Sequence, residues 1–234
     1  MPSRFDAVTF DAGNTLLRCY PPPRVLYAEA LSRHGPAVTP EEVGPAFADA
    51  WVEMQRRTPP GGDRYSAHPG GERAWWGAFL REVLARLGHP APWEPLLDEL
   101  YAAFARIEVW RVFPEVARTL EALRAAGLEV GVISNWDRRL PEILEGLGLA
   151  GYFTAVVVSA REGVEKPAPA IFHRALERLG VAPQRALHVG DSPRDDYQGA
   201  EGAGMSAALV DRHRLFVGEA FRRIDGLDGV LELV

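Results

Sequence analysis

Four short segments of this chain carry acidic, hydroxyl and cationic side chains whose types and spacing suit nucleophilic chemistry. These segments are FDAGNTLL (10–17), ISNWD (133–137), EKPAPAIF (165–172) and HVGDSPRDD (188–196). The sequence contains one lysine, Lys166, and two asparagines, Asn14 and Asn135, although arginine is abundant. Lysine is a compact point charge with three rotatable donors, whereas arginine is a planar fork. The single lysine therefore indicates a task that arginine cannot perform.

The chemistry predicted for these segments is attack by a carboxylate on a phosphorus atom. The residues at or just after predicted strand ends are Asp11, Ser134, Lys166 and Asp191. Asp11 would attack an electrophile that carries negative charge and form an aspartyl-phosphate. Lys166 and the Ser134 hydroxyl would neutralise and position the transferring group. Asp11 and Asp191 would hold Mg²⁺, which prefers carboxylate and water oxygens, and Asp196 could hold a metal-bound water or Lys166.

Each of these residues also has a purely structural interpretation. Asp11 could occupy a turn, Ser134 could cap the helix after it, and Lys166 could be a surface lysine. Asp195 competes with Asp196 for the inward position, because acids are favoured at a helix start in any case. We favour Asp196, and the co-occurrence of all four segments favours the functional interpretation of the rest.

The residues proposed to contact substrate are Asn135, Gly13 and Thr15. Asn135 could position substrate or hold the loop at its strand end. Asn14 and Thr15 are expected chiefly to shape the turn after the nucleophile, although Thr15 could also hydrogen-bond Asp11. His188 lies in the middle of a predicted strand and is expected to be a satisfied core histidine.

The elements that must position these residues follow an alternating pattern of strands and helices. Apolar runs predict strands over 7–10, 128–134, 155–159, 186–189 and 206–210. Between them, the spacing predicts helices, including one over 169–179 that buries Ile171, Phe172, Ala175, Leu176 and Leu179. Such alternation predicts an α/β fold with a parallel, Rossmann-like sheet. Ligands bind outside the carboxyl ends of the strands in such a sheet, where the four segments would meet.

Residues 20–110 have a different character, which predicts an inserted all-helical domain. Helical patterns cover 25–34, 40–57, 72–87 and 93–107, separated by clusters of proline and glycine. The predicted domains are a catalytic core, 1–17 with 111–234, and a helical cap, 18–110. Trp75 and Trp76 are adjacent and are not expected to face one core together, so one could line the cleft between the domains. Arg64 and His68 are further candidate substrate contacts in the cap.

Composition limits the classes of partner. The 234 residues carry a formal net charge of -6, which argues against nucleic acid or an anionic membrane as the main partner. No apolar run has the length of a membrane span, and the N-terminus lacks a signal-peptide pattern. A lone Cys19 excludes a disulfide framework and a cysteine metal site. These features predict a cytoplasmic enzyme with a small molecule as its partner.

Taken in order, the four segments resemble the motifs of the haloacid dehalogenase superfamily, most of whose members are Mg²⁺-dependent phosphatases. The family's motifs are Asp-x-Asp-x-Thr after a strand, a strand-end Ser or Thr, Lys-Pro-x-Pro-x-Ile-Phe, and Gly-Asp with an acid four or five residues later. Their counterparts here are Asp11 to Thr15, Ser134, the run from Lys166, and Gly190-Asp191 with Asp195 or Asp196. The runs SNWDRRL and GDSPRDDYQGA, with Trp75-Trp76, resemble the vertebrate subgroup called haloacid dehalogenase-like hydrolase domain-containing protein 3.

The resemblance implies a Rossmann-like core with an inserted helical cap, Mg²⁺ as cofactor and a small phosphorylated metabolite as substrate. It also implies that the carbonyl of Gly13 joins Asp11, Asp191 and Asp196 around the metal. The chain departs from the family pattern at Gly13, where the phosphatases carry the aspartate that protonates the leaving group. Losing a general acid typically costs roughly 10²–10⁴ in rate. The substrate could have a good leaving group, the cap could supply an acid or a positioned water, or binding could be the main role.

Three alternatives to phosphate hydrolysis follow from the same family. The 2-haloacid dehalogenases need no metal, replace the fourth-motif aspartate with serine, and carry tyrosine at the position of Gly13. Asp191 and Gly13 do not match that pattern, yet the alternative stays open. Phosphonate-cleaving members need a cap lysine, but Lys166 is the sole lysine of the sequence and already fills the core position, so this alternative is excluded. A non-catalytic binding protein that keeps the fold is the remaining alternative.

Overall fold

The computed structural model describes residues 4–59 and 61–234. The strands are β1 (Ala7–Phe10), β2 (Leu17–Cys19), β3 (Trp110–Val112), β4 (Glu129–Ser134), β5 (Ala155–Val158), β6 (Ala186–Gly190), β7 (Ser206–Val210) and β8 (Arg223–Ile224). The α-helices are α1 (Pro23–His34), α2 (Pro40–Arg56), α3 (Gly71–Leu87), α4 (Trp93–Ala105), α5 (Val116–Ala125), α6 (Leu140–Gly146), α7 (Ser159–Glu162), α8 (Pro169–Leu179) and α9 (Gly199–Gly202). Residues 1–3, in the predicted core, and residue 60, in the predicted cap, lie outside the described residues.

A parallel sheet with the order β5-β4-β1-β6-β7-β8 forms the centre of the α/β part of the chain. Every residue of β1 is buried, as expected for a parallel strand with helices on both faces. Phe10 pairs with Val132 of β4 and with Val189 of β6, so the three strands end at nearly the same level. The predicted Rossmann-like α/β class is therefore confirmed.

Helix α8 shows how the apolar spacing specifies a buried face. It begins at Pro169 and ends before Gly180, whose φ of 69° permits the left-handed turn that terminates the helix. Its buried residues are the predicted Ile171, Phe172, Ala175, Leu176 and Leu179. The helix packs against β4 and β5.

The connection between β6 and β7 differs from the single helix that the sequence indicates. It begins as a π-helix over Pro193–Gln198 and continues directly as α9. Ser192 caps it, because its side chain accepts from the backbone N–H of Asp195. A π-turn adds about one residue to a turn, but the segment has only 6 residues, which are too few for its apolar spacing to reveal the change.

The chain divides into two compact units. One contains the described residues up to Arg18 together with Val112–Val234, and the other contains Cys19–Arg111. The second unit consists mainly of helices α1 to α4, whose bounds lie close to the predicted helical patterns. Short strands β2 and β3 pair where the chain passes between the units. The sequence does not predict them, because three residues are too few to show a period.

The helical unit is built around packed aromatic rings. Trp75 and Trp76 both contact Trp51, at centroid distances of 5.7 and 6.2 Å. Both also contact Tyr65, at 5.0 and 5.9 Å. The expectation that the two tryptophans could not share one core is therefore wrong. Adjacent indoles can reach a common cluster because Tyr65, in the loop before α3, brings a further ring to meet them.

No helix among residues 4–59 and 61–234 combines the length and the apolar character needed to cross a membrane.

Candidate active site

The carboxylate of Asp11 lies at the end of β1, at the centre of the sheet. The backbone N–H of Asp11 donates to the carbonyl of Val189 at 2.9 Å, so the residue continues the pairing of β1 with β6. Ser134, the last residue of β4, donates its hydroxyl to Asp11 Oδ1 at 3.0 Å. The alternative that Ser134 caps a helix is wrong, because the next helix begins at Leu140 and its N-cap residue is Arg139.

Lys166 is buried and uses its ammonium group to join three parts of the site. Its Nζ donates to Asp11 Oδ1 at 2.7 Å and to Asp196 Oδ1 at 2.5 Å. It also donates to the carbonyl of Ile133 at 2.8 Å. The side chain is 2% exposed, so Lys166 is not a surface lysine. Three diverging donors on one nitrogen meet these acceptors, an arrangement that a planar guanidinium could not reproduce.

The side chain of Asn135 holds the segment that carries Lys166 through two hydrogen bonds to its backbone. Its side-chain Nδ2 donates to the carbonyl of Lys166 at 2.9 Å, and its Oδ1 accepts from the backbone N–H of Lys166 at 2.7 Å. Of the two roles suggested by the sequence, this geometry favours holding the strand-end loop over direct contact with substrate.

Asp196, rather than Asp195, faces the site. Its carboxylate is 2% exposed, and its Oδ2 accepts from the backbone N–H of Ser192 at 2.9 Å. Asp195 is half-buried. A side chain at Gly190 would place its Cβ 2.1 Å from Asp196 Cγ, which is impossible. Glycine is therefore required at 190 because the Asp196 carboxylate lies directly against the backbone there.

The three carboxylates form a cluster that suits a cation. Asp11, Asp191 and Asp196 each present an oxygen, and these oxygens lie within 4.8 Å of one another. Burial, followed by the charges of Asp11 and Asp196, raises the pKa of Asp191 to about 7. Burial also raises the pKa of Asp11, although Lys166 opposes the effect. The carboxylates thus repel one another in the absence of a metal ion, although Lys166 offsets part of the repulsion, and their hard oxygen donors fit Mg²⁺.

Lys166 and Asp196 form an ion pair in which both side chains are 2% exposed. Burial alone would raise the pKa of Asp196, but the charge of Lys166 and the hydrogen bond from His188 outweigh it, so that pKa is lowered. Burial alone would lower the pKa of Lys166, but Asp11 and Asp196 raise it. The raised pKa keeps Lys166 positively charged at neutral pH, so Lys166 does not transfer a proton as a general acid.

The loop after the nucleophile is held by Asn14, as the sequence predicts, and by Arg212 and Glu115, which the sequence does not indicate. Asn14 has a φ of 57°, and its side chain hydrogen-bonds Asp191. Arg212 donates to the carbonyl of Thr15 at 2.9 Å and forms a partly buried ion pair with Glu115. Neither Arg212 nor Glu115 belongs to a motif. Their role becomes visible only in the structure, because it depends on their closeness to the loop in space. No local sequence pattern encodes that closeness.

Two expectations for the nucleophile loop are corrected or refined by the geometry. The hydroxyl of Thr15 is buried and has no hydrogen-bond partner among the described residues, so it does not bond Asp11. The loop turns back on itself, with the N–H of Leu16 bonded to the carbonyl of Ala12 at 2.9 Å, which carries Thr15 away from the carboxylate. A Cβ on Gly13 would lie 3.4 Å from Trp136 Cζ3 and 4.0 Å from Asp11 Oδ2. Trp136 therefore adjoins the place where the family's general acid would project.

The candidate cap contacts lie in the loop before α3. Arg64 is 5% exposed and lies over the ring of Trp51, 5.4 Å from its centroid. His68 is half-buried, and its Nδ1 is buried without a hydrogen-bond partner among the described residues. Their proposed contact with substrate stays a prediction.

Comparison with known proteins agrees with this arrangement of motifs. A family model described as haloacid dehalogenase-like hydrolase matches residues 5–204. The protein "Haloacid dehalogenase-like hydrolase domain-containing protein 3" of Bos taurus is 36% identical over 205 residues, which cover 87% of this chain and 80% of that protein. A phosphoserine phosphatase of Thermus thermophilus is 37% identical over 194 residues, which cover 79% of this chain and 72% of the phosphatase. The solved structure of a 2-haloacid dehalogenase from Pseudomonas syringae pv. Tomato DC3000 is 28% identical with a TM-score of 0.64, and the match covers 98% of this chain and 97% of that one.

Proposed function

Because the chain belongs to the haloacid dehalogenase-like hydrolase family, we propose that it hydrolyses phosphate monoesters of small metabolites with Mg²⁺. The observation that carries the proposal is the contact of Lys166 Nζ with Asp11 Oδ1 at 2.7 Å, beside carboxylate oxygens within 4.8 Å of one another. A nucleophile, a fixed cation and a set of oxygen donors are thus in contact. The similarity to a phosphoserine phosphatase supports the same reaction.

The chain's own residues supply the covalent step. A carboxylate oxygen of Asp11 forms a bond to phosphorus while the bond from phosphorus to the ester oxygen breaks, and its electron pair leaves with that oxygen. Water then attacks phosphorus and releases phosphate, which restores Asp11. Lys166 and Ser134 hold the nucleophile and donate to the transferring group. Mg²⁺, held by Asp11, Asp191, Asp196 and the Gly13 carbonyl, would offset the repulsion between carboxylate and phosphate.

The leaving group restricts the substrate. Gly13 provides no acid, and Trp136 Cζ3 lies 3.4 Å from the position of a Cβ there. Esters whose alcohol is a stable anion do not need a proton in the transition state, whereas alkyl phosphates do. We therefore propose a preference for phosphates with good leaving groups, and we propose residues 18–110 as a cap domain that sets the remaining selectivity.

Carbon–halogen hydrolysis is the second candidate, because the chain is 28% identical to a solved 2-haloacid dehalogenase. The retention of Asp191 and the absence of tyrosine at position 13 argue against it. A binding protein without turnover is the third candidate, and its support is the lost acid at Gly13.

One set of assays separates these candidates. We expect release of phosphate from an aryl phosphate that requires Mg²⁺ and falls by at least about 10³-fold in Asp11→Asn, since the nucleophile is lost. Asp195→Asn is the matched control, because that aspartate lies outside the carboxylate cluster, and it should keep most of the activity. Halide release from a 2-haloacid in EDTA would instead support the dehalogenase. Neither activity, together with a Tm raised by phosphorylated metabolites, would support the binding protein.

A further inference from the structure

A polar pair lies inside the sheet, behind the carboxylate cluster. Thr9 of β1 and His188 of β6 are register partners, and neither is exposed. Thr9 Oγ1 lies 2.9 Å from His188 Nδ1, and the rings of His188 and Phe172 form a T-shaped pair with centroids 5.1 Å apart. Burying a hydroxyl and an imidazole is costly unless both are hydrogen-bonded. Two apolar side chains would avoid that cost, so the pair needs a reason beyond packing.

The second nitrogen of the imidazole supplies that reason. His188 Nε2 lies 3.2 Å from Asp196 Oδ1. An ionised carboxylate only accepts hydrogen bonds, so Nε2 carries the proton, and in a neutral ring Nδ1 then accepts from the Thr9 hydroxyl. Burial lowers the pKa of His188, in agreement with a neutral ring. Asp196 thus sets the tautomer, and the Thr9 hydroxyl donates to Nδ1 and orients the ring whose Nε2–H donates to Asp196.

His188 is the rigid one of the two side chains that donate to Asp196 Oδ1, whereas the backbone N–H of Ser192 holds Oδ2. Lys166 donates to the same oxygen at 2.5 Å, but a lysine side chain is long and its position depends on its acceptors. His188 projects from a strand that is paired on both sides. Its direction is therefore set by the sheet and by Thr9, and not by the ions around it.

We infer that His188, oriented by Thr9, is a positioning residue that fixes Asp196 so that Asp196 holds Lys166 against Asp11. The consequence for turnover rests on the proposed function, whereas the consequence for the state of Lys166 does not. Partners of this kind, one contact removed from a reactive centre, typically change activity by about 10–100-fold when they are lost.

The single lysine makes a direct test possible. Protein labelled with ¹⁵N-lysine carries its side-chain ammonium label at Lys166 alone. His188→Gln replaces the imidazole N–H with an amide N–H that can reach Asp196, whereas His188→Met fills a similar volume without a hydrogen-bond donor. His173→Met is the control, because His173 bonds the carbonyl of Ala203 and lies outside the carboxylate cluster. We expect His188→Met to shift or broaden the Lys166 signal in the full chain, and His188→Gln and His173→Met to leave it near the wild-type position.

The activity of the Mg²⁺-loaded protein gives the second readout. We expect His188→Met to lower kcat for an aryl phosphate by about 10–100-fold with a much smaller change in KM, and His188→Gln to restore most of it. Imidazole nitrogen shifts should show His188 neutral and protonated at Nε2. Should His188→Met fail to fold, Thr9→Val replaces the hydroxyl with a methyl group and removes the hydrogen bond that orients His188. We then expect the Lys166 signal to shift or broaden, and an unchanged signal would overturn the inference.

The outcomes separate this inference from the proposed function. The inference is overturned if the proton of His188 lies on Nδ1, if His188→Met leaves the Lys166 signal unchanged, or if Gln and Met disturb it equally. An active wild type with a folded His188→Met of unchanged kcat overturns the inference alone. An inactive wild type overturns the proposed function, and the lysine and imidazole signals still decide the inference.

Discussion

The two units of this protein bury different kinds of side chain. The α/β unit buries Asp11, Lys166, His188 and Asp196, which are joined by hydrogen bonds. The rings that pack together in the helical unit include Tyr27, Phe47, Trp51, Tyr65, Trp75 and Phe79. Among its described residues, the buried charged side chains are Asp63 and Arg64.

Because of this difference, a single substitution is expected to affect chemistry in the α/β unit and stability in the helical unit. Hydrogen bonds and ion pairs in a buried cluster are directional, so each partner depends on the placement of the others. Contacts between rings stabilise mainly through the apolar area that they bury, and each ring shares that area with several neighbours. Substitutions in the α/β cluster should therefore affect turnover most, and substitutions in the ring cluster should affect the free energy of unfolding.

The largest effect on turnover is expected for substitutions of Lys166. We expect both Lys166→Met and Lys166→Arg to lower kcat for an aryl phosphate by about 10³-fold, because neither places a compact charge between Asp11 and Asp196. Steady-state kinetics measure the effect. Arg33, whose ion pair with Glu99 lies on the helical unit with the arginine side chain 57% exposed, is the control. Arg33→Met should change the free energy of unfolding by less than about 1 kcal/mol. A Lys166→Arg variant that keeps wild-type turnover would contradict the comparison.

A large effect of the other kind is expected at Phe79. Its ring is fully buried and meets those of Tyr27, Phe47 and Trp75. We expect Phe79→Ala to lower the free energy of unfolding by about 3–5 kcal/mol, measured by urea denaturation. Leu215→Ala is the control, since that leucine is 74% exposed. A loss below about 1 kcal/mol would mean that the rings repack around the cavity and that the helical core is less specific than proposed.

A smaller effect is expected from restoring an acid at position 13. Gly13→Asp should raise the turnover of alkyl phosphates by about 10-fold, provided that Trp136 gives way. Because Trp136 Cζ3 would lie 3.4 Å from the new Cβ, we expect the gain to be greater in Gly13→Asp combined with Trp136→Leu. Kinetics with aryl and alkyl phosphates, with Trp136→Leu alone as the control, measure it. A full gain in the single variant would show that the indole does not obstruct the acid.

The smallest effect concerns pH and Mg²⁺. Folding raises the pKa of Asp191 from 3.8 to about 7. A carboxyl whose pKa is raised on folding destabilises the folded state above its unfolded pKa, and the loss becomes complete only above its folded pKa. The Tm of the metal-free protein should therefore fall between pH 5 and pH 8 relative to Asp191→Asn.

Mg²⁺ should reverse that loss, since it binds the ionised carboxylates. We expect Mg²⁺ to raise the Tm more at pH 8 than at pH 6, by about 2–4 °C for each kcal/mol of difference. Thermal melts with and without the metal test this. An equal Mg²⁺ effect at both pH values would argue against titration of the carboxylate cluster in this range.

Much of the fold follows from the sequence because apolar spacing is a local signal. Strand β1 has the predicted bounds 7–10, and α8 buries the predicted face over 169–179. The sequence does not predict the π-helix over 193–198 or the three-residue strands β2 and β3, because each is too short to show a period of its own.

In the candidate site, too, the sequence predicts some features and leaves others to the structure. Asp11, Ser134 and Lys166 lie in contact, as expected for residues at the carboxyl ends of neighbouring strands. The commitment of Asn135 to the backbone of Lys166 and the failure of Thr15 to reach Asp11 depend on how two loops turn. Turns of that kind depend on backbone hydrogen bonds that no residue pattern specifies.

By itself, the sequence determined the parallel sheet and the identity of the residues at its reactive edge, because both rest on local periodicity and residue chemistry. Three contacts are visible only in the tertiary structure: Trp136 lies beside Gly13, Arg212 donates to the carbonyl of Thr15 in the nucleophile loop, and His188 donates to Asp196. These contacts join residues far apart in the chain, or on either side of a turn, and their distances exist only once the strands have paired.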